Sequence, residues 1–271
     1  MKTLITILGF IFSGLATAEE IHVAVASNFS KTMEKVAQQY HEKTGHKVLL
    51  SFGSTGKLFA QIKNGAPFDA FFSADVERPE QLVKEGLADS ASEFIYAQGK
   101  LALFSLSMKL GTDPRAVLKA GGFKNLALAN PETAPYGAAA VEVMRAWGVY
   151  DGLKPKLVFG ESVAQTFHYI STGNAQLGFI SVSQLVETEN EVNKKGEFYI
   201  PPQHLYKPIY QKAVILKRTR RLVVKDFFTF FRSAPVRNVI ENFGYSLWEK
   251  EFVERTFFEK KFPSTPPPKK L

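Results

Sequence analysis

Ile21-His22-Val23-Ala24-Val25-Ala26-Ser27-Asn28-Phe29 is the stretch whose reading decides the fold. Its first six residues are mostly β-branched or small, and the run is short enough for one buried strand. Ser27-Asn28 then supplies turn and capping chemistry. Met33, Val36, Ala37 and Tyr40 follow at helical spacing, with one apolar face. A strand that passes to a helix within a few residues is the first half of a βαβ unit.

Outward from this stretch the pattern repeats. Val48-Leu49-Leu50-Ser51-Phe52 reads as a second strand. Leu58, Phe59 and Ile62 mark the next helix, which Asn64-Gly65 stops with Pro67 just beyond. Phe68 to Ala74 reads as a third strand, and Pro79 to Glu85 as a helix ended by Gly86. Later, Leu101 to Phe104, Leu126 to Ala129, Leu157 to Phe159 and Leu177 to Ile180 read as strands. Gly137 to Trp147 and Val163 to Thr172 read as helices. The alternation predicts an α/β protein with parallel sheets covered by helices, in two units of roughly 100 residues each.

The 271 residues allow one large domain or two modest ones. With 45% hydrophobic and 22% charged residues, the composition excludes a polytopic membrane protein and global disorder. The chain has no cysteine, which excludes a disulfide scaffold, a thiolate zinc site, an iron–sulfur cluster and a cysteine nucleophile. Five histidines argue against a histidine-rich metal site. His41 and His46 are the nearest pair, but Gly45 between them ends the helix, so both read as surface residues. Lysine and arginine exceed aspartate and glutamate by 34 to 26, giving +8. That balance suits an anionic partner. Only Lys217-Arg218 with Arg220-Arg221 is clustered, so no nucleic-acid partner is expected; the run reads as a solvated loop or a docking patch.

The N-terminus has a basic start at Lys2, an apolar run from Leu4 to Phe12 and the small-residue ending Ala16-Thr17-Ala18. This is the pattern of a secretory signal peptide. It predicts cleavage after Ala18, a mature chain beginning at Glu19, and a periplasmic location. Loss of Lys2 alone would lower the net charge from +8 to +7 (8 − 1).

The informative positions are four turns that follow strands: Ser27-Asn28, Gly53-Ser54-Thr55-Gly56, Asn130 to Gly137, and Glu161-Ser162-Val163. Ser162 with Gln165 matches a capping box. In open α/β sheets, ligands bind beyond the carboxyl ends of the strands, where helix N-termini offer unpaired N–H groups to an anion. Taken singly, each turn reads first as ordinary capping. A phosphate loop at Gly56-Lys57 fails, because Ser51 stands where its first glycine belongs and Leu58 where Ser or Thr belongs. No G-x-S-x-G elbow occurs.

Read together, the turns resemble one family. Val23 to Phe29, Phe52 to Leu58, Asn64-Gly65-Ala66-Pro67-Phe68-Asp69 and Phe72-Ser73-Ala74-Asp75 resemble the periplasmic molybdate-binding proteins of ABC importers. Asn130 to Gly137, Leu177-Gly178-Phe179-Ile180 and Phe243-Gly244-Tyr245 fit the same family in order, so the likeness covers about residues 20 to 247. It implies a two-lobed periplasmic binding protein of the type II fold, with two crossovers and a ligand cleft between lobes. The implied division is a signal peptide over 1–18, lobe 1 over 19–99, lobe 2 over 100–210, a return to lobe 1 over 211–247, and an extension over 248–271. The crossings fall near Gly99-Lys100 and Tyr210-Gln211.

The resemblance also implies the site. The oxyanion is held by neutral hydrogen bonds, with Ser27 and Thr55 donating from the first lobe and Asn28 a backbone or side-chain neighbour. In the second lobe Tyr136 and Val163 fall on ligand positions, Val163 through its backbone N–H. Some members carry a binding tyrosine soon after the Leu-Gly pair; Ser181 stands there, and Tyr136 occupies a position that is alanine in those members. Glu132 and Glu161 are expected to point away from an anion, and Lys57 to be solvated rather than a ligand. The implied protein is no enzyme and needs no cofactor. It binds molybdate, and tungstate too, as a monomer that delivers its ligand to an ABC permease. Sulfate or phosphate remains the alternative ligand. A hydrolase using Ser27 or Thr55 is a remote alternative without an evident base. Trp248, Phe252, Val253, Phe257, Phe258 and Phe262 recur at near-helical spacing in the extension, before a Pro-rich tail.

Overall fold

The computed structural model describes residues 18–186 and 196–247. The signal-peptide reading of 1–17 and the 248–271 extension lie outside the described residues. In chain order the elements are β1 (Glu20–Ala26), α1 (Ser30–Thr44), β2 (Lys47–Gly53), α2 (Thr55–Lys63), β3 (Ala70–Phe72), α3 (Glu77–Lys84) and β4 (Phe94–Gly99). There follow β5 (Leu101–Ser105), α4 (Pro114–Ala120), β6 (Leu126–Ala129), α5 (Pro135–Ala146), α6 (Tyr150–Leu153), β7 (Leu157–Gly160), α7 (Val163–Ser171), β8 (Leu177–Ser181) and α8 (Val182–Val186). The chain ends with β9 (Glu197–Tyr199), β10 (Ile209–Ile215), α9 (Leu222–Phe231) and α10 (Ala234–Asn242).

The strands form two sheets, one per lobe, ordered β2-β1-β3-β10-β4 and β7-β6-β8-β5-β9. Each has a parallel trio in the same arrangement: β1 lies between β2 and β3, and β6 lies between β7 and β8. Beside each trio lies one antiparallel strand, β10 on β3 and β5 on β8. The parallel trios are those the βαβ rhythm predicts, and each sheet adds antiparallel strands to its trio. The strands β4 and β10 are absent from the sequence reading because their mixed polar and apolar residues carry no clean period. The chain leaves the first sheet at Gly99 and enters the second at Leu101. It returns within residues 200–208, since Ile209 already pairs with Gly99.

Each lobe closes over its own core. In lobe 1, Phe72 on β3 sits 4.7 Å from the Phe231 ring, 5.4 Å from Phe228 and 5.3 Å from Tyr96, all centroid to centroid. In lobe 2 the centre of the core is aliphatic and small, with Leu126, Ala127, Leu128 and Ala129 of β6 and Ala139, Ala140 and Val143 of α5, and Phe104 and Phe179 are buried in the same cluster. Among the described residues, no helix is long and apolar enough to cross a membrane.

Candidate functional site

Four strands end at the line between the lobes, and each feeds a helix start there. β1 passes into a 3-10 turn over Ser27–Phe29 that continues as α1. β2 leads to α2, β6 to α5 and β7 to α7. Ser54 caps α2, its hydroxyl accepting from the Lys57 N–H at 3.4 Å. Ser162 caps α7 in the same way through Gln165 N–H. The reciprocal arm of the expected capping box lands one residue early: Gln165 Oε1 accepts from the N–H of Glu161, not of Ser162.

These starts enclose a small pocket, with a cavity volume of about 10 Å³, lined by Ser27, Asn28, Ser54, Thr55, Ala74, Pro135, Tyr136 and Val163, with Ala26 and Ala134. No lining side chain carries a charge. The Thr55 Oγ1 accepts from the Ala74 N–H at 3.0 Å, which leaves the hydroxyl proton to be given away. Burial pushes the Tyr136 hydroxyl well above the ordinary tyrosine value, so it keeps its proton. Thr55 and Val163 open their helices, where backbone N–H groups lack intrahelical partners. The arrangement offers hydrogen-bond donors and a positive helix-dipole field without a cationic side chain.

The lobes touch around this pocket. Gly56 N–H donates to the Thr133 carbonyl at 2.8 Å. A Cβ at Gly56 would lie 2.9 Å from Thr133 Cα, so only glycine allows that approach. On the exposed rim, Lys57 Nζ meets Glu161 Oε1 at 2.6 Å, and Arg78 Nη2 donates to the Glu132 carbonyl at 3.0 Å. Both glutamates thus stay outside the lining, and Lys57 is an ion-pair partner across the lobes. Asp75 is buried beside Arg78; burial raises its carboxyl above the usual range, partly opposed by the Arg78 charge.

Ser27, Asn28, Thr55, Tyr136 and Val163 are all brought together in the lining. Asn28 has its amide nitrogen turned to Gln211 Oε1 (2.9 Å) and the Tyr245 hydroxyl (3.1 Å). Ser181 is not in the lining. Its hydroxyl is engaged by Ser183 Oγ at 2.9 Å and Gln184 Oε1 at 3.1 Å. That group braces the pocket from behind, because Ser183 donates to the Asn28 carbonyl and Gln184 Nε2 donates to the Val163 carbonyl. Sequence reasoning missed Ser183, Gln184, Tyr96 and Gln211. For Gln211 the sequence offered no signal, because Ile209–Ile215 mixes polar and apolar residues, and only the structure shows its side chain to be fully buried. His41 and His46 hold local contacts near the β2 start, and no cluster able to hold a metal occurs among the described residues.

Two α/β lobes joined by two crossings and closed on a pocket of neutral donors define a two-lobed solute-binding protein of the type II fold. Residues 21–246 match the family model of bacterial extracellular solute-binding proteins. The molybdate-binding protein ModA of Azotobacter vinelandii is 44% identical over 233 residues, covering 86% of this chain and 92% of that protein. ModA of Rhodobacter capsulatus is 42% identical over 231 residues, covering 85% and 89%. The solved structure of the Azotobacter vinelandii periplasmic molybdate-binding protein superposes with a TM-score of 0.79 at 37% identity, over 84% of this chain and 99% of that one. The chain belongs to the bacterial extracellular solute-binding protein family.

Proposed function

We propose that the protein binds molybdate, and tungstate with it, in the periplasm and hands it to an ABC importer, with no chemistry done on the ligand. The single observation behind this reading is the inter-lobe pocket whose ten lining residues include hydroxyl and main-chain donors but no charged side chain. A dianion entering it must exchange water for donors. Hydrogen bonds to a charged group contribute roughly 1.5–3 kcal/mol each, and helix N-termini add to them. Ser27 and Thr55 donate from lobe 1. Tyr136 and the Val163 N–H donate from lobe 2, and Asn28 contributes through its main chain because its amide nitrogen is turned away. Ser181 acts behind the pocket. The relatives named for molybdate, at 44% and 42% identity, support the choice of ligand. The signal-peptide pattern of residues 1–18 directs export and is then removed, so the exported protein should have Glu19 first by intact-mass measurement.

Calorimetric titration of the mature protein with molybdate, tungstate, sulfate and phosphate tests the reading. Molybdate and tungstate are expected to bind together and far more tightly than the smaller ions. Tight phosphate binding with no molybdate response would sink it. Ser27→Ala, Thr55→Ala and Tyr136→Phe should each weaken molybdate binding by about 1–3 kcal/mol, or roughly 5- to 150-fold. Val163→Ala keeps its N–H and should change little. Unchanged affinity in the serine and threonine variants would overturn these site residues while leaving the ligand in place.

A further inference from the structure

Behind Tyr136, a run of buried hydrogen bonds has its direction set at one end by a main-chain carbonyl. That carbonyl, of Asn28, accepts from the Tyr245 hydroxyl at 2.6 Å. Tyr245 has one proton, which goes to this carbonyl or to Ser183 Oγ at 3.1 Å, and in either case its oxygen faces Asn28 Nδ2 at 3.1 Å as an acceptor. Nδ2 is therefore the end of the Asn28 amide that also meets Gln211, 2.9 Å from Oε1. An amide nitrogen offers only donors, so Gln211 must present its oxygen there, where Tyr96 also approaches at 2.9 Å. Its Nε2 is left facing Tyr136, 3.3 Å from the hydroxyl oxygen.

The Tyr136 oxygen thus accepts from Gln211, and its own proton meets no acceptor among the described residues. Gln211 is fully buried on β10, the strand that returns to lobe 1, and it does not line the pocket. Gly99 holds the register: a Cβ there would lie 2.0 Å from the Tyr136 oxygen and 2.7 Å from Gln211 Nε2.

We infer that Gln211 is a positioning residue that fixes the Tyr136 hydroxyl as a donor, so that the pocket selects an oxyanion bearing no proton where it meets Tyr136. The inference rests on the oxyanion reading of the pocket. A hydrogen phosphate must place its own proton on an acceptor, and this relay removes the phenol as one. A fully ionised molybdate meets no such conflict.

Gln211→Glu keeps the oxygen that Asn28 and Tyr96 use and replaces only the NH2 group. The phenol proton then turns to the carboxylate, and a lone pair faces the pocket. Titrations with molybdate and phosphate on the parent, Gln211→Glu, Tyr136→Phe and the double variant read the outcome, with thermal melting to confirm folding. Gln211→Glu should weaken molybdate by roughly tenfold or more and lower the molybdate-to-phosphate affinity ratio by about as much. On the Tyr136→Phe background the same change should leave the ratio within about twofold. An unaltered ratio in a folded Gln211→Glu protein overturns the inference, as does an equal change without the phenol. A ligand-free measurement separates it from the oxyanion reading. The Gln211 side-chain amide protons, assigned by NMR in the parent, should shift in Tyr136→Phe. If they do not, the relay is wrong whatever the pocket binds. A parent that binds no oxyanion overturns the pocket reading, and the NMR result still decides the role of Gln211.

Discussion

The two lobes share one strand arrangement and hold their helix starts still by opposite means. Lobe 1 does it with bulk: Phe29, Phe72, Tyr96, Phe227, Phe228 and Phe231 pack ring on ring, and β3 runs from this cluster into Ser73 and Ala74, where the Ala74 N–H fixes Thr55. Lobe 2 does it with the absence of side chains. A Cβ on Gly137 would lie 2.1 Å from the Ala129 carbonyl oxygen, one on Gly160 2.8 Å from Thr166 N, and one on Gly178 2.5 Å from the Ala127 carbonyl oxygen. Helix α5 can lie that close to the end of β6 only because position 137 has no Cβ. The same task, aiming a helix N-terminus at a pocket, is thus sensitive to lost volume in one lobe and to added volume in the other.

Three substitutions probe that contrast. Phe72→Ala should have the largest effect, about 3–5 kcal/mol of stability by denaturant titration, because a fully buried ring at the centre of the cluster is removed. A loss below about 1 kcal/mol would mean that the ring cluster does not carry lobe 1. Gly137→Ala comes next. Its methyl must displace main chain, so a cost of about 1–3 kcal/mol is expected, together with weakened ligand binding as α5 shifts. Gly152→Ala, with nothing within 4 Å of its Cβ, is the matched control and should be neutral or slightly stabilising. Parent-like affinity and stability in Gly137→Ala would remove the basis of the contrast.

The smallest effect belongs to the rim, where the lobes meet by charge instead of packing. The Lys57 and Glu161 side chains are 49% and 66% exposed, so water and salt screen the pair, and it should contribute less than about 1 kcal/mol. Lys57→Ala and Glu161→Ala should each change affinity by less than about fivefold, chiefly through faster ligand release in stopped-flow displacement. The difference from the parent should fade as salt rises. A tenfold or larger effect that persists in high salt would make the rim, and not the two lobe interiors, the element that holds the cleft shut.

Much of this architecture was legible because local rules suffice for it. The runs Leu126–Ala129 and Leu177–Ile180 are strands in the structure; the helix after Ser162 starts where that serine caps it, and α5 starts at Pro135, a residue suited to the first helical position. β4 and β10 were not legible. β10 lies between β3 and β4, β4 is the sheet's edge strand beside a lobe crossing, and neither presents a single apolar face, so alternation is lost. Ser181 shows the limit within the site: its position after the Leu-Gly pair suggested a ligand role, yet Ser183 and Gln184 two and three residues on engage its hydroxyl.

By itself the sequence determined the α/β alternation, the four strand-to-helix turns and the types of donor they carry. These follow from periodicity and from the few residue types that can cap a helix or take a sharp turn, and both act within a handful of positions. Only the tertiary structure decided which turns face one another, that Gly56 meets Thr133, and which way the protons run behind Tyr136. That last outcome joins Asn28, Tyr96, Tyr136, Gln211 and Tyr245. A hydrogen bond between residues 183 positions apart, as between Asn28 and Gln211, leaves no local pattern in either neighbourhood. Its direction is set by the Asn28 carbonyl, which accepts from Tyr245 and Ser183, a grouping that exists only once the two lobes have packed together.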